Sequence, residues 1–246
     1  MSKTTQGMLG PLTMPPQGIY EISSTQKLPL GRRLQLGERT FHYTEAGGTA
    51  LVAGSLNQSP VPAADHLTLA VATAVAGVTE VTVTNGASTA VTVNMYRGGY
   101  MWIDAGTDNF GHMYVVKQNT AAAVNADFVV TLYDPLVEAL TAAQETVALV
   151  MNPYKDVIIH PAVPTAHVVG ASVVDVTADY YCWLQTWGPC PIITEGTLVI
   201  GEHAAVGDGT NGGVQPADTD VEHIVGDVMR VSAAAAYSLV YLRLAP

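Results

Sequence analysis

The chain has 246 residues, 48% of them hydrophobic and only 13% charged, and its net charge is −11. That length fills one large β domain or two small ones, and the charged fraction is half the roughly 25% of an average soluble domain. An acidic body excludes nucleic-acid binding by charge, because phosphate would be repelled, and a surface this poor in charge is expected to be buried partly against neighbours.

Residues 1–40 carry five basic and two acidic side chains, whereas the remaining 206 carry five and nineteen. Residues 1–33 read as an extended arm, broken by Pro11, Pro15, Pro16 and Pro29 and without a helical or strand period. The arm still holds Met8, Leu9, Leu12, Met14, Ile19 and Tyr20, with Arg32 and Arg33 at its end. Apolar groups on so short a segment are expected to dock on another surface, either a neighbouring subunit or the chain's own body. The opening MSKTTQGMLGPLTMPP breaks at Gly and Pro before an apolar run develops, so no signal peptide is read. The longest apolar stretch, Leu67–Val78, is 12 residues, short of the roughly 20 of a membrane helix. The expectation is a protein made in the cytoplasm and soluble until it assembles.

From Leu34 the chain alternates short apolar runs with turn residues. A β-rich domain is read over 34–160, with a hairpin over 78–96 in which Val78–Thr84 and Ala90–Tyr96 flank Asn85-Gly86. Strand-like runs follow at Tyr100–Ile103, His112–Lys117 and Phe128–Tyr133. Pro135–Val147, capped by Asp134, reads either as a short helix or as a long loop. Asn152–Tyr154 with Pro161 and Pro164 mark a boundary, and 161–246 is expected to form a second, barrel-like module. The fold class is therefore all-β, an antiparallel sandwich or barrel with an extended N-terminal arm and at most one or two short helices.

Chemistry is sparse. Gly207–Gly212 spells GxGxxG, but Val214-Gln215-Pro216 follows where a helix would have to start, so a hairpin loop is expected and no dinucleotide. Asp208, Asn211, Asp218 and Asp220 offer oxygen ligands without EF-hand spacing. No GxSxG, Walker A or HExxH pattern occurs, and the seven histidines include no i, i+4 pair. Cys182 and Cys190 are too few for a disulfide framework and read as buried thiols or as one bridge. The reading is a protein that is not an enzyme and needs no cofactor or metal. Tyr180–Trp187 is the densest aromatic run, and strand geometry places Tyr181, Trp183, Gln185 and Trp187 on one face. That face is either core and subunit contact or a platform on which sugar rings stack.

The segments Val168-Val169-Gly170-Ala171-Ser172, Asp175-Val176-Thr177-Ala178, Trp183 and Gly188 resemble the pattern of tailed-phage capsid decoration (cement) proteins. Ile224-Val225-Gly226, Ala233–Ala236 and Leu239–Leu244 echo the same pattern, and Ala46–Gly54 is similar to the opening turn of many phage virion proteins. Asp179 stands where that family's turn glycine is expected, and Leu56–Met151 is an addition to a small decoration module. The resemblance implies a structural protein of the virion, assembled in the host cytoplasm. It would be a homo-oligomer, a trimer by preference, that binds the major capsid protein and bridges subunits, with no nucleic-acid or membrane partner. The alternative is a tail, baseplate or head-fibre protein that binds a host glycan. Interface residues expected on this reading are Met8, Leu9, Leu12, Met14, Ile19, Tyr20, Arg32, Arg33, Tyr181, Trp183 and Trp187.

Overall fold

A computed structural model describes residues 16–106, 110–163, 165–218, 222–232 and 236–246. In chain order the strands are β1 (Arg33–Leu36), β2 (Arg39–Glu45), β3 (Leu56–Gln58), β4 (Leu69–Ala70), β5 (Glu80–Thr84) and β6 (Tyr100–Ala105). Then come β7 (Met113–Asn119), β8 (Asp127–Leu132), β9 (Thr146–Val150), β10 (Ile158–Ile159) and β11 (Val168–Ser172). The last five are β12 (Tyr181–Ile193), β13 (His203–Val206), β14 (Val214–Pro216), β15 (Ile224–Arg230) and β16 (Tyr237–Arg243). One 3-10 turn, Ala64–His66, precedes β4. The fold is all-β, and every ladder between these strands is antiparallel.

Two sheets divide the chain. The larger runs β10-β3-β11-β12-β16-β15-β13-β14, with β1 and β2 joined to it through β12. The smaller runs β4-β9-β6-β7-β8-β5, and the bridge Val71↔Val83 brings its two edges together into a nearly closed barrel. Closure removes the open edges on which other chains pair. The barrel's core, from Leu69 to Leu149, is built from its own residues. Ile158 of β10 lies opposite Gln58 of β3, so the chain departs from and returns to the larger sheet at adjoining positions. The sheets therefore do not follow the partition into 34–160 and 161–246, since β1, β2, β3 and β10 share a sheet with the C-terminal strands.

The hairpin over 78–96 is not formed. β5 pairs with β8, Val83 opposite Phe128, and Val91 bridges Ala122 instead. Asn85 and Gly86 do turn the chain, but the turn is held from outside. Asp65 accepts the N–H groups of Ser88 and Thr89 at 2.7 and 3.0 Å, and the Asn85 amide donates to the carbonyls of Thr89 and Ala123. Hydrogen bonds from Ser88 and Thr89 hold the Asp65 pKa well below the usual range, backbone donation from Ser88 being the largest cause.

The segment 135–145 is a loop and not a helix. Its backbone bonds sideways, Leu136 to Val78 and Leu140 to Ala74, and both leucines are buried in the barrel core. For the described part of the arm, the second of the two expected docking surfaces applies. Residues 16–32 lie on the chain's own body: Ser23 bridges Tyr181, and Ile19, Leu28 and Leu30 pack on a cluster of Phe41, Tyr43 and Trp183.

Candidate functional site

β12 is the spine. Its first half pairs with β2 and its second half with β16. The period-2 alternation expected for its aromatic run holds, and both faces are buried. Cys182 and Leu184 face one cluster, while Trp183 faces another with Tyr181 at its edge. Trp183 is 1% exposed, and its indole N–H donates to the Gln17 carbonyl at 3.0 Å. Gln17 also accepts from the Tyr43 hydroxyl at 2.8 Å and donates to the Tyr181 carbonyl at 2.8 Å. An aromatic sealed in this way is core, so the sugar platform of Tyr181, Trp183 and Trp187 does not exist as one surface. The Tyr181 hydroxyl donates to Glu45 at 2.9 Å, and burial together with that carboxylate pushes its pKa up to about 12.

The other expected interface residues separate. Met8, Leu9, Leu12 and Met14 lie outside the described residues. Ile19 is spent on the internal cluster, whereas Tyr20 is 63% exposed beside Arg39. Arg32 and Arg33 are exposed where β1 begins.

Trp187 belongs to a surface that was not foreseen in full. The register Trp187↔Arg243, Pro189↔Tyr241, Pro191↔Leu239 and Ile193↔Tyr237 puts these eight side chains on one face of the sheet. The intervening Gly188, Cys190, Ile192, Ser238, Val240 and Leu242 are all buried on the other. Outward positions of a half-buried strand are ordinarily polar; here seven of eight are apolar or aromatic. Trp187 meets Tyr241 edge-on at 6.0 Å. The polar rim is a cross-strand group in which the Asp227 carboxylate accepts from Arg243 and lies 2.7 Å from His203 Nδ1. Pro189 and Pro191 fit because β2 leaves β12 at Trp187, so the missing N–H groups break no ladder on that side. The sequence signal available was the proline alternation within an otherwise strand-like run.

The remaining candidates for chemistry are inert. Both cysteines are free and buried, and burial drives each thiol up to about 12. The GxGxxG segment is the turn between β13 and β14, and the Glu195 carboxylate takes the N–H groups of Gly209 and Thr210 where a phosphate would have to sit. Among the described residues no group of three or more His, Cys, Asp or Glu is placed to hold a metal ion. Asp179 has φ +62° and occupies the left-handed conformation that Asp tolerates better than most residues. Comparison with protein-family models, curated proteins and solved structures finds no match to this chain.

Proposed function

We propose that this chain is a structural protein of a phage virion, a capsid decoration protein that binds the major capsid shell and bridges its subunits. The observation that carries this reading is the outward apolar face of β12 and β16. Apolar and aromatic side chains on the outward face of a sheet, where polar ones are ordinary, mark a candidate site of association, and aromatic residues dominate the energetics of such contacts. The rim of Asp227, Arg243 and His203 would fix orientation around it. Rigidity comes from the first half of β12, buried on both faces over Cys182–Thr186, and repeated copies on a symmetric shell turn modest contacts into intramolecular ones.

The test is co-sedimentation of the purified protein with phage heads stripped of it. Stoichiometric rebinding is expected, and Leu239→Lys with Tyr241→Lys should abolish it while the circular dichroism is retained. Undiminished binding by the doubly substituted protein, or heads that never carry the chain, would defeat the proposal.

A further inference from the structure

A cleft of about 540 Å³ opens between residues 26–30 of the arm, the end of β2 and the barrel loop 94–98. Three of the chain's ten basic side chains, Lys27, Arg97 and Lys155, line it against a single carboxylate, Glu45. For a protein of net charge −11 this is a local reversal of sign. Lys155 is partly engaged, its Nζ donating to the Asn94 carbonyl at 3.3 Å and lying 4.0 Å from Asp156. Among the described residues, the Lys27 ammonium and the Arg97 guanidinium have neither a hydrogen bond nor an ion pair. The Asn152 carboxamide accepts from the Tyr154 N–H at 2.9 Å, which leaves its NH₂ free on the cleft wall. Glu45, the one opposing carboxylate, is tied by the Tyr181 hydroxyl, and burial raises its pKa.

The geometry points to a binding site for an acidic saccharide, its anionic group held by Arg97 and Lys27 and its ring laid against Tyr133. A guanidinium takes a carboxylate or sulfate through two parallel N–H bonds. Free amide donors suit sugar hydroxyls. Tyr133, which lines the cleft, is 57% exposed and supplies an aromatic ring of the kind on which a pyranose packs. The cleft has the volume of an ordinary small-ligand site. This assignment does not rest on the shell-binding face, which is formed by other residues.

Calorimetric titration of the full chain at low ionic strength tests it, with tetragalacturonate as probe, maltotetraose as the neutral control and tetra-aspartate as the peptide control. Tetragalacturonate should bind with a dissociation constant between roughly 1 mM and 1 μM. Arg97→Ala and Lys27→Ala should each weaken it about tenfold. Glu45→Gln keeps the acceptor for Tyr181 and should strengthen binding. Both basic residues are exposed, so near-ultraviolet dichroism should be unchanged in their variants. No heat with tetragalacturonate, affinity indifferent to Arg97 and Glu45, or equal affinity for tetra-aspartate would each overturn the assignment.

Discussion

Three histidines that are far apart in sequence gather near the β13–β14 turn. His167 and His223 stack at 6.1 Å, and His160 is buried with its Nδ1 lacking a partner. Burial lowers the pKa of both His160 and His223, and a neighbouring imidazole lowers each further. His42, stacked on Tyr154 at 4.9 Å, is lowered by burial and by Arg33. Each therefore titrates at a lower pH in the folded protein than the value near 6.5 that it has when unfolded. Between those two values the unfolded chain binds more protons, so stability rises with pH across that window. It is therefore full above 6.5 and is lost as pH falls below it. Glu45, raised by burial, acts in the opposite sense, in a window that opens at 4.5. The melting temperature should thus fall between pH 7.5 and 5.5, by roughly 2–4 °C for each kcal/mol lost. His160→Gln with His223→Gln should flatten that slope; an unchanged slope would show that these imidazoles are not its source.

At the scale of elements, the described part of the arm, residues 16–32, is part of the body. Gln17 caps the Trp183 indole, and Ile19, Leu28 and Leu30 cover the cluster of Phe41, Tyr43 and Trp183. Deleting residues 1–30 should therefore destabilise the protein by several kcal/mol, at about 1.5–3 for each large apolar group returned to water. A lowered melting temperature and a red-shifted tryptophan emission are expected; an unaltered melt would restore the arm as a free segment. The sequence made strands and their faces legible wherever period 2 decides them, as at Tyr181–Leu184, but not the irregularity between Gln185 and Trp187. Partners were not legible, because pairing is non-local. Asn85-Gly86 has hairpin chemistry, yet Asp65, twenty residues upstream, takes the amides that a local hairpin would leave free. Leu136 and Leu140 have helical spacing, yet each anchors an extended backbone to residues 74–78. The cleft carries no motif at all: Lys27, Arg97 and Lys155 meet only through the fold, and the scarcity of basic residues was the one hint.

For the molecule as a whole, the decisive feature is that two cores are built from separate stretches of chain. Every buried member of the barrel cluster lies between Leu69 and Leu149, whereas the clusters on the larger sheet draw on residues before and after it. The barrel also brings its own polar anchors: His66 is buried against Tyr96, and Asn119 holds the 92–96 turn by accepting from the Tyr96 N–H at 2.9 Å. A unit with its own core and its own polar anchors can fold without its host, even though His112 Nδ1 stays buried without a partner. The ends of the excursion adjoin at Gln58 and Ile158, so the larger sheet holds them together without being threaded by them. A fragment spanning residues 60–152 should therefore fold alone, with a cooperative thermal transition and near-ultraviolet dichroism from its buried aromatics. A fragment that melts without cooperativity would mean that contacts such as Lys155 with the 94–95 carbonyls, which the fragment loses, are needed to hold the barrel together. The two sheets would then be one folding unit, and the barrel no longer an insertion in any physical sense.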